Sequence, residues 1–72
     1  MKVGSLVRTG KGMYAYEGVL AIVVSRQAPK AVILRVVSTN GWTLGKAQIG
    51  DVIYARGFDY EELEVISEDE RV

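Results

Sequence analysis

The chain has 72 residues, no cysteine and no histidine, a formal net charge of zero and 49% hydrophobic residues. That is enough for one small domain, which buries roughly 60% of its unfolded surface. Disulfide staples, thiolate metal sites and imidazole general bases are excluded, so stability has to come from aliphatic packing or from assembly.

Charge is divided along the chain. Residues 1–50 hold seven basic residues and one acid, Glu17, whereas residues 51–72 hold Arg56 and Arg71 with eight acids. Asymmetry of this kind can mark a nucleic-acid surface or an acidic tail. Spread over several strands, it is also the ordinary surface of a soluble domain. No stretch of about 18 apolar residues is present, so no transmembrane helix is expected. The start has one lysine and no apolar run, so no signal peptide is expected either. The expected location is the cytoplasm, or a virus particle made there, with no membrane partner.

In chain order, Ser5 to Thr9 is the first expected strand. Gly10 to Gly18 contains three glycines and two tyrosines, which reads as a loop with some purpose. Val19 to Ser25 is an apolar, β-branched strand. Gln27-Ala28-Pro29-Lys30 holds the single proline and turns the chain. Ala31 to Val37 is a third strand. Ser38-Thr39-Asn40-Gly41 is a turn, since Asn-Gly is a strong hairpin signal, and Trp42 to Leu44 opens a further strand. Lys46 to Ile49 reads as one helical turn or an irregular link. Asp51 to Ala55 is the next strand. Phe58 to Leu63 reads as a short 3₁₀ turn, with Asp59 as its cap and Glu61 and Glu62 at its N-terminal end. Glu64 to Ser67 closes the domain.

The expected fold is therefore all-β: one small barrel of about five to six short antiparallel strands, with a 3₁₀ turn before the last strand. Residues 1–67 form the domain, and 68–72 form a charged tail expected to fray. A closed or nearly closed sheet is expected, because Val19–Val24 and Ala31–Val37 would aggregate if either were an edge.

The strand entries carry a resemblance. Val3-Gly4-Ser5-Leu6-Val7-Arg8 at the start and Leu63-Glu64-Val65-Ile66 at the end are similar to the opening and closing strands of small Src-homology-3-like barrel proteins encoded by phages. Those usually open with Lys-Val-Gly-Asp-Leu-Val, so Ser5 stands where they have aspartate. A second entry, Ile49-Gly50-Asp51-Val52-Ile53-Tyr54, stands where many of them have only a hairpin. The likeness covers most of the chain but concerns strands, not a site. It implies the barrel and a viral source.

Catalysis finds little support. The sequence shows no recognisable activating pattern around serines 5, 25, 38 and 67, and the carboxylates crowd near the C-terminal end. Gly10-Lys11-Gly12 lacks the spacing of a phosphate loop. No cofactor and no metal are expected.

The aromatic residues carry the binding expectation. Tyr14, Tyr16, Trp42 and Tyr60 come from separate loops that can converge at one end of a barrel. The same types line the peptide groove of Src-homology-3 domains. Large rings can also simply seal the ends of a small barrel. The expected function is thus a non-catalytic protein-binding or assembly module whose partner is itself, a virion protein or a host protein. Two alternatives stand beside it. One is a nucleic-acid-binding barrel of the KOW type, against which Glu17 and a pI near 6.2 both count. The other is a binder of proline-rich peptides.

Overall fold

The computed structural model describes residues 1–10, 16–39 and 48–68. Five strands and one short helix follow in order: β1 (Leu6–Arg8), β2 (Leu20–Ala28), β3 (Ala31–Ser38), β4 (Val52–Arg56), α1 (Phe58–Glu61) and β5 (Glu64–Ser67). The all-β class is as expected. The strand expected at Trp42–Leu44 lies outside the described residues.

All pairings are antiparallel, in the order β4-β3-β2-β1-β5. The two aggregation-prone runs, β2 and β3, are both interior strands. They are joined by a loop of two residues, Pro29 and Lys30, since Ala28 pairs with Ala31. Proline fits there because its fixed φ suits a turn and its missing N–H is not needed. The Arg26 guanidinium braces the loop by donating to the Pro29 carbonyl at 2.9 Å. β2 therefore runs three residues beyond its expected end at Ser25.

Register shifts at Val23–Ser25 and Arg26–Ala28 mark irregularities in the β2–β3 ladder. Bulges bend a strand and increase its twist. The inner face of the sheet encloses Val7, Val19, Ala21, Val23, Val32, Leu34, Val36, Ile53 and Ala55. Valine dominates this set. Each such side chain contributes about 1.5–3 kcal/mol when fully buried.

Closure differs from expectation. Among the described residues, β4 and β5 each pair on one side only, so the sheet they form is open. The chain leaves β4 at Gly57, whose φ of 57° is a left-handed value that favours glycine, and passes through α1 before β5. β5 then pairs with β1 rather than β4. Met1, Tyr16, Tyr60 and Leu63 pack against the core in a half-buried layer.

The turn before the last strand also differs. It is a single α-turn, with Glu61 N–H donating to the Gly57 carbonyl and Glu62 N–H to that of Phe58. Bonds of 3₁₀ type follow, from Glu62 to Asp59 and from Leu63 to Tyr60. Gly57, not Asp59, is the N-cap, and no side chain caps the helix. Asp59 lies in the first turn, where its negative charge still interacts favourably with the helix N-terminus.

Two buried polar side chains tie the frame together. Thr9 accepts the Val19 N–H at 3.0 Å and donates to the Tyr16 carbonyl. Ser5 accepts the Lys2 N–H at 2.9 Å and donates to Glu68 at 3.0 Å. Glu68 also lies 3.4 Å from the amino-terminal ammonium of Met1. The residue at which the expected tail begins is thus held against the start of the chain.

Candidate functional site

β4 alternates although nearly all of it is apolar. Ile53 and Ala55 point into the core, and Val52, Tyr54 and Arg56 point out. Val52 is 62% exposed and Tyr54 52%. The chain adds two more exposed apolar side chains beside the strand, Ile49 at 71% and Phe58 at 74%. Val52 and Tyr54 therefore stand in water on the outer face of β4, with Ile49 exposed before the strand and Phe58 after it. Single exposed apolar residues are ordinary, but a contiguous group of them marks an interaction surface.

The strand that β4 pairs with is apolar or basic at the facing positions. Across from β4, Arg35 pairs with Val52, Ile33 with Tyr54 and Ala31 with Arg56. Arg35 and Arg56 are exposed, and neither has an ion pair among the described residues. Acid flanks the strand, with Asp51 before it and Asp59 and Glu61 on α1 after it. Lys30 reaches Glu61 at 3.4 Å and Arg8 reaches Glu64 at 3.7 Å.

A shallow depression of about 290 Å³ lies further along the sheet, lined by Arg8, Gly18, Leu20, Ser38 and Thr39. Its one charged group is Arg8, already facing Glu64. Among the described residues, no three His, Cys, Asp or Glu side chains are grouped to hold a metal ion. No helix among them is long and apolar enough to cross a membrane.

Of the aromatic set expected from the sequence, Tyr14 and Trp42 lie outside the described residues. Tyr16 and Tyr60 are both half-buried and pack against the core. The Tyr16 hydroxyl donates to Asp51 Oδ2 at 3.3 Å, and the same carboxylate oxygen accepts the Gln48 N–H at 3.0 Å. Burial pushes the Tyr16 phenol above its ordinary pKa, and the adjacent Asp51 charge and hydrogen bond push it further the same way. Tyr16 thus fastens the entry of β2 to the entry of β4. Tyr60, carried by α1, sits over the core from the far end of β4.

Tyr54 and Phe58 were not singled out from the sequence, although both are more exposed than Tyr16 and Tyr60. The available signal was the strand itself. Val52-Ile53-Tyr54-Ala55 has no charge, so whichever face turned outward would expose apolar surface.

No protein-family model, no curated protein sequence and no solved structure matches the chain.

Proposed function

We propose that this chain is a non-catalytic protein-binding or assembly module, built as a Src-homology-3-like barrel. The strand order supports the barrel, since the first and last strands pair and the middle three form a meander. The observation that carries the function is the row of exposed apolar side chains at Ile49, Val52, Tyr54 and Phe58. Aromatic side chains dominate protein interfaces because they bring large contact area at small entropic cost. Tyr16 and Tyr60 already spend much of their area on the core, so the β4 edge is the principal docking surface and the tyrosine loops are secondary. The likeness to phage barrels extends the reading to a virion component or a modulator of a host protein, in the host cytoplasm or the particle.

A benzophenone amino acid placed at position 54 or 58 tests this in the producing cell. Irradiation is expected to give protein adducts at both positions and few at position 27, on the β2–β3 hairpin. No protein adduct, together with a gel shift of nucleic acid that weakens steeply with salt, would overturn the reading in favour of the nucleic-acid barrel.

A further inference from the structure

The edge of β4 that faces away from β3 has a definite hydrogen-bonding phase. The Asp51 carbonyl accepts the Val36 N–H at 2.8 Å, and the Gly57 N–H donates to the Lys30 carbonyl at 3.2 Å. Backbone groups alternate sides along a strand. Odd-numbered positions from 51 to 57 therefore face β3. Val52, Tyr54 and Arg56 aim both N–H and C=O at the edge, where they have no partner among the described residues.

We infer that this edge pairs with the same edge of a second copy, across a two-fold axis at Tyr54. The inference rests on the protein-binding reading and names its partner. With the axis there, Tyr54 faces Tyr54 of the second copy, and Val52 faces Arg56 of the second copy. Each pair exchanges two N–H···O bonds, about six in all. Moving the axis to Ile53 or Ala55 leaves two such pairs within the strands instead of three.

Several features suit a second copy. No like charges stand opposite one another, because the one charge of β4, Arg56, meets Val52. Arg35 is two strands from Arg56 of the second copy, about 10 Å at the usual strand spacing, and so close to a Debye length. The chain has zero net charge, so two copies do not repel as wholes. β4 also lacks the lysine, proline or inward charge that usually keeps an edge single.

Area sets the strength. An aromatic residue buries about 150–250 Å² when fully covered, so Tyr54 with Val52 offers on the order of 200 Å² per copy. The total is below the roughly 1,200 Å² of a stable interface. The dimer is therefore weak and reversible.

Sedimentation velocity of the full chain from about 5 µM to about 1 mM tests this. Dimer is expected to grow across that range. Val52→Lys is expected to raise the Kd at least tenfold, as is Tyr54→Pro, which removes an edge N–H where proline is tolerated. Because the chain has no cysteine, register can be read directly. Tyr54→Cys places two Cα atoms about 5.5 Å apart across the axis, within disulfide reach, and should oxidise to a covalent dimer. Val52→Cys, offset by four residues from its own copy, should not. Circular dichroism checks that each variant folds. A monomer throughout the range overturns the proposal, as does a dimer that ignores Val52→Lys and Tyr54→Pro or one that cross-links at 52 and not 54. A monomer that still gives protein adducts in the cell would sink self-pairing and leave the protein-binding reading standing.

Discussion

β5 and β4 both end the sheet, yet they meet water with different residues. β5 is short, opens with Glu64 and is followed by Glu68, with Glu61 and Glu62 just before it. Its charges are engaged locally, with Arg8 and with Ser5 and the amino terminus. β4 shows water Val52, Tyr54 and Arg56 and holds no acid within the strand, its flanking acids being Asp51 before it and Asp59 and Glu61 on α1 after it. Charge beside an edge repels a second strand and costs little, whereas an apolar edge invites one. The difference teaches that exposure alone does not define a docking surface. β5 also exposes Val65 and Ile66, but amid acidic residues.

The comparison is broken most completely from below. Leu34, fully buried on β3, holds the inner face on which both edges depend. Leu34→Ala is expected to cost about 2–5 kcal/mol, a large part of a small domain's stability, with a matching fall in the urea midpoint.

Gly10→Ala acts nearer β5. A Cβ there would lie 2.8 Å from the Glu62 backbone oxygen and 2.7 Å from its carboxylate. The backbone cannot yield as a flexible side chain can, so about 1–3 kcal/mol is expected to be lost. A melting temperature equal to that of the parent would show that the chain shifts there freely.

Ser5→Ala removes the hydroxyl that joins Lys2 to Glu68 and is expected to cost about 1 kcal/mol. A double-mutant cycle with Glu68→Gln should be non-additive, because the two share one hydrogen bond.

The same contact has a pH signature. The Ser5 hydroxyl holds the Glu68 carboxyl below its ordinary pKa, opposed in part by desolvation and aided by the amino-terminal charge. A lowered folded value means that this contribution is complete above the ordinary glutamate pKa. It is lost as pH falls through the lowered value. Stability measured across the acid range should therefore fall less in Ser5→Ala than in the parent.

The smallest effect on folding sharpens the contrast. Val52→Lys on the outer face is expected to change monomer stability by no more than about 0.5 kcal/mol while weakening association. Loss of several kcal/mol would mean that Val52 serves the fold rather than a partner.

Much of the frame is legible in residue types. β-branched runs locate β2, β3 and β4, Pro29 locates the hairpin loop, and the entry and exit phrases locate β1 and β5. What could not be read has physical causes. Alternation reports which face is buried only when polar residues mark the other, and Val52 to Ala55 has none. Openness of the sheet depends on whether β4 and β5 meet, a long-range fact that local propensity does not carry. The short helix read as 3₁₀ because one turn of either kind has the same residues, and the cap fell to Gly57 through its backbone conformation. Of the four aromatic site candidates, Tyr16 and Tyr60 are where rings seal a core, and Tyr14 and Trp42 fall outside the described residues.

The pairing of Leu6 with Ser67 bears on how the chain is made. On a ribosome, the β2–β3 hairpin can form soon after Ser38 emerges, because its contacts are local. β1 can find β2 by then, but its other side must wait for residues 64–67. Contacts this distant in sequence slow folding, since the loop must close before the pairing rewards it. Until β5 arrives, the nascent chain carries β1 as an additional bare edge, and on crowded polysomes that interval is when neighbouring copies can pair wrongly.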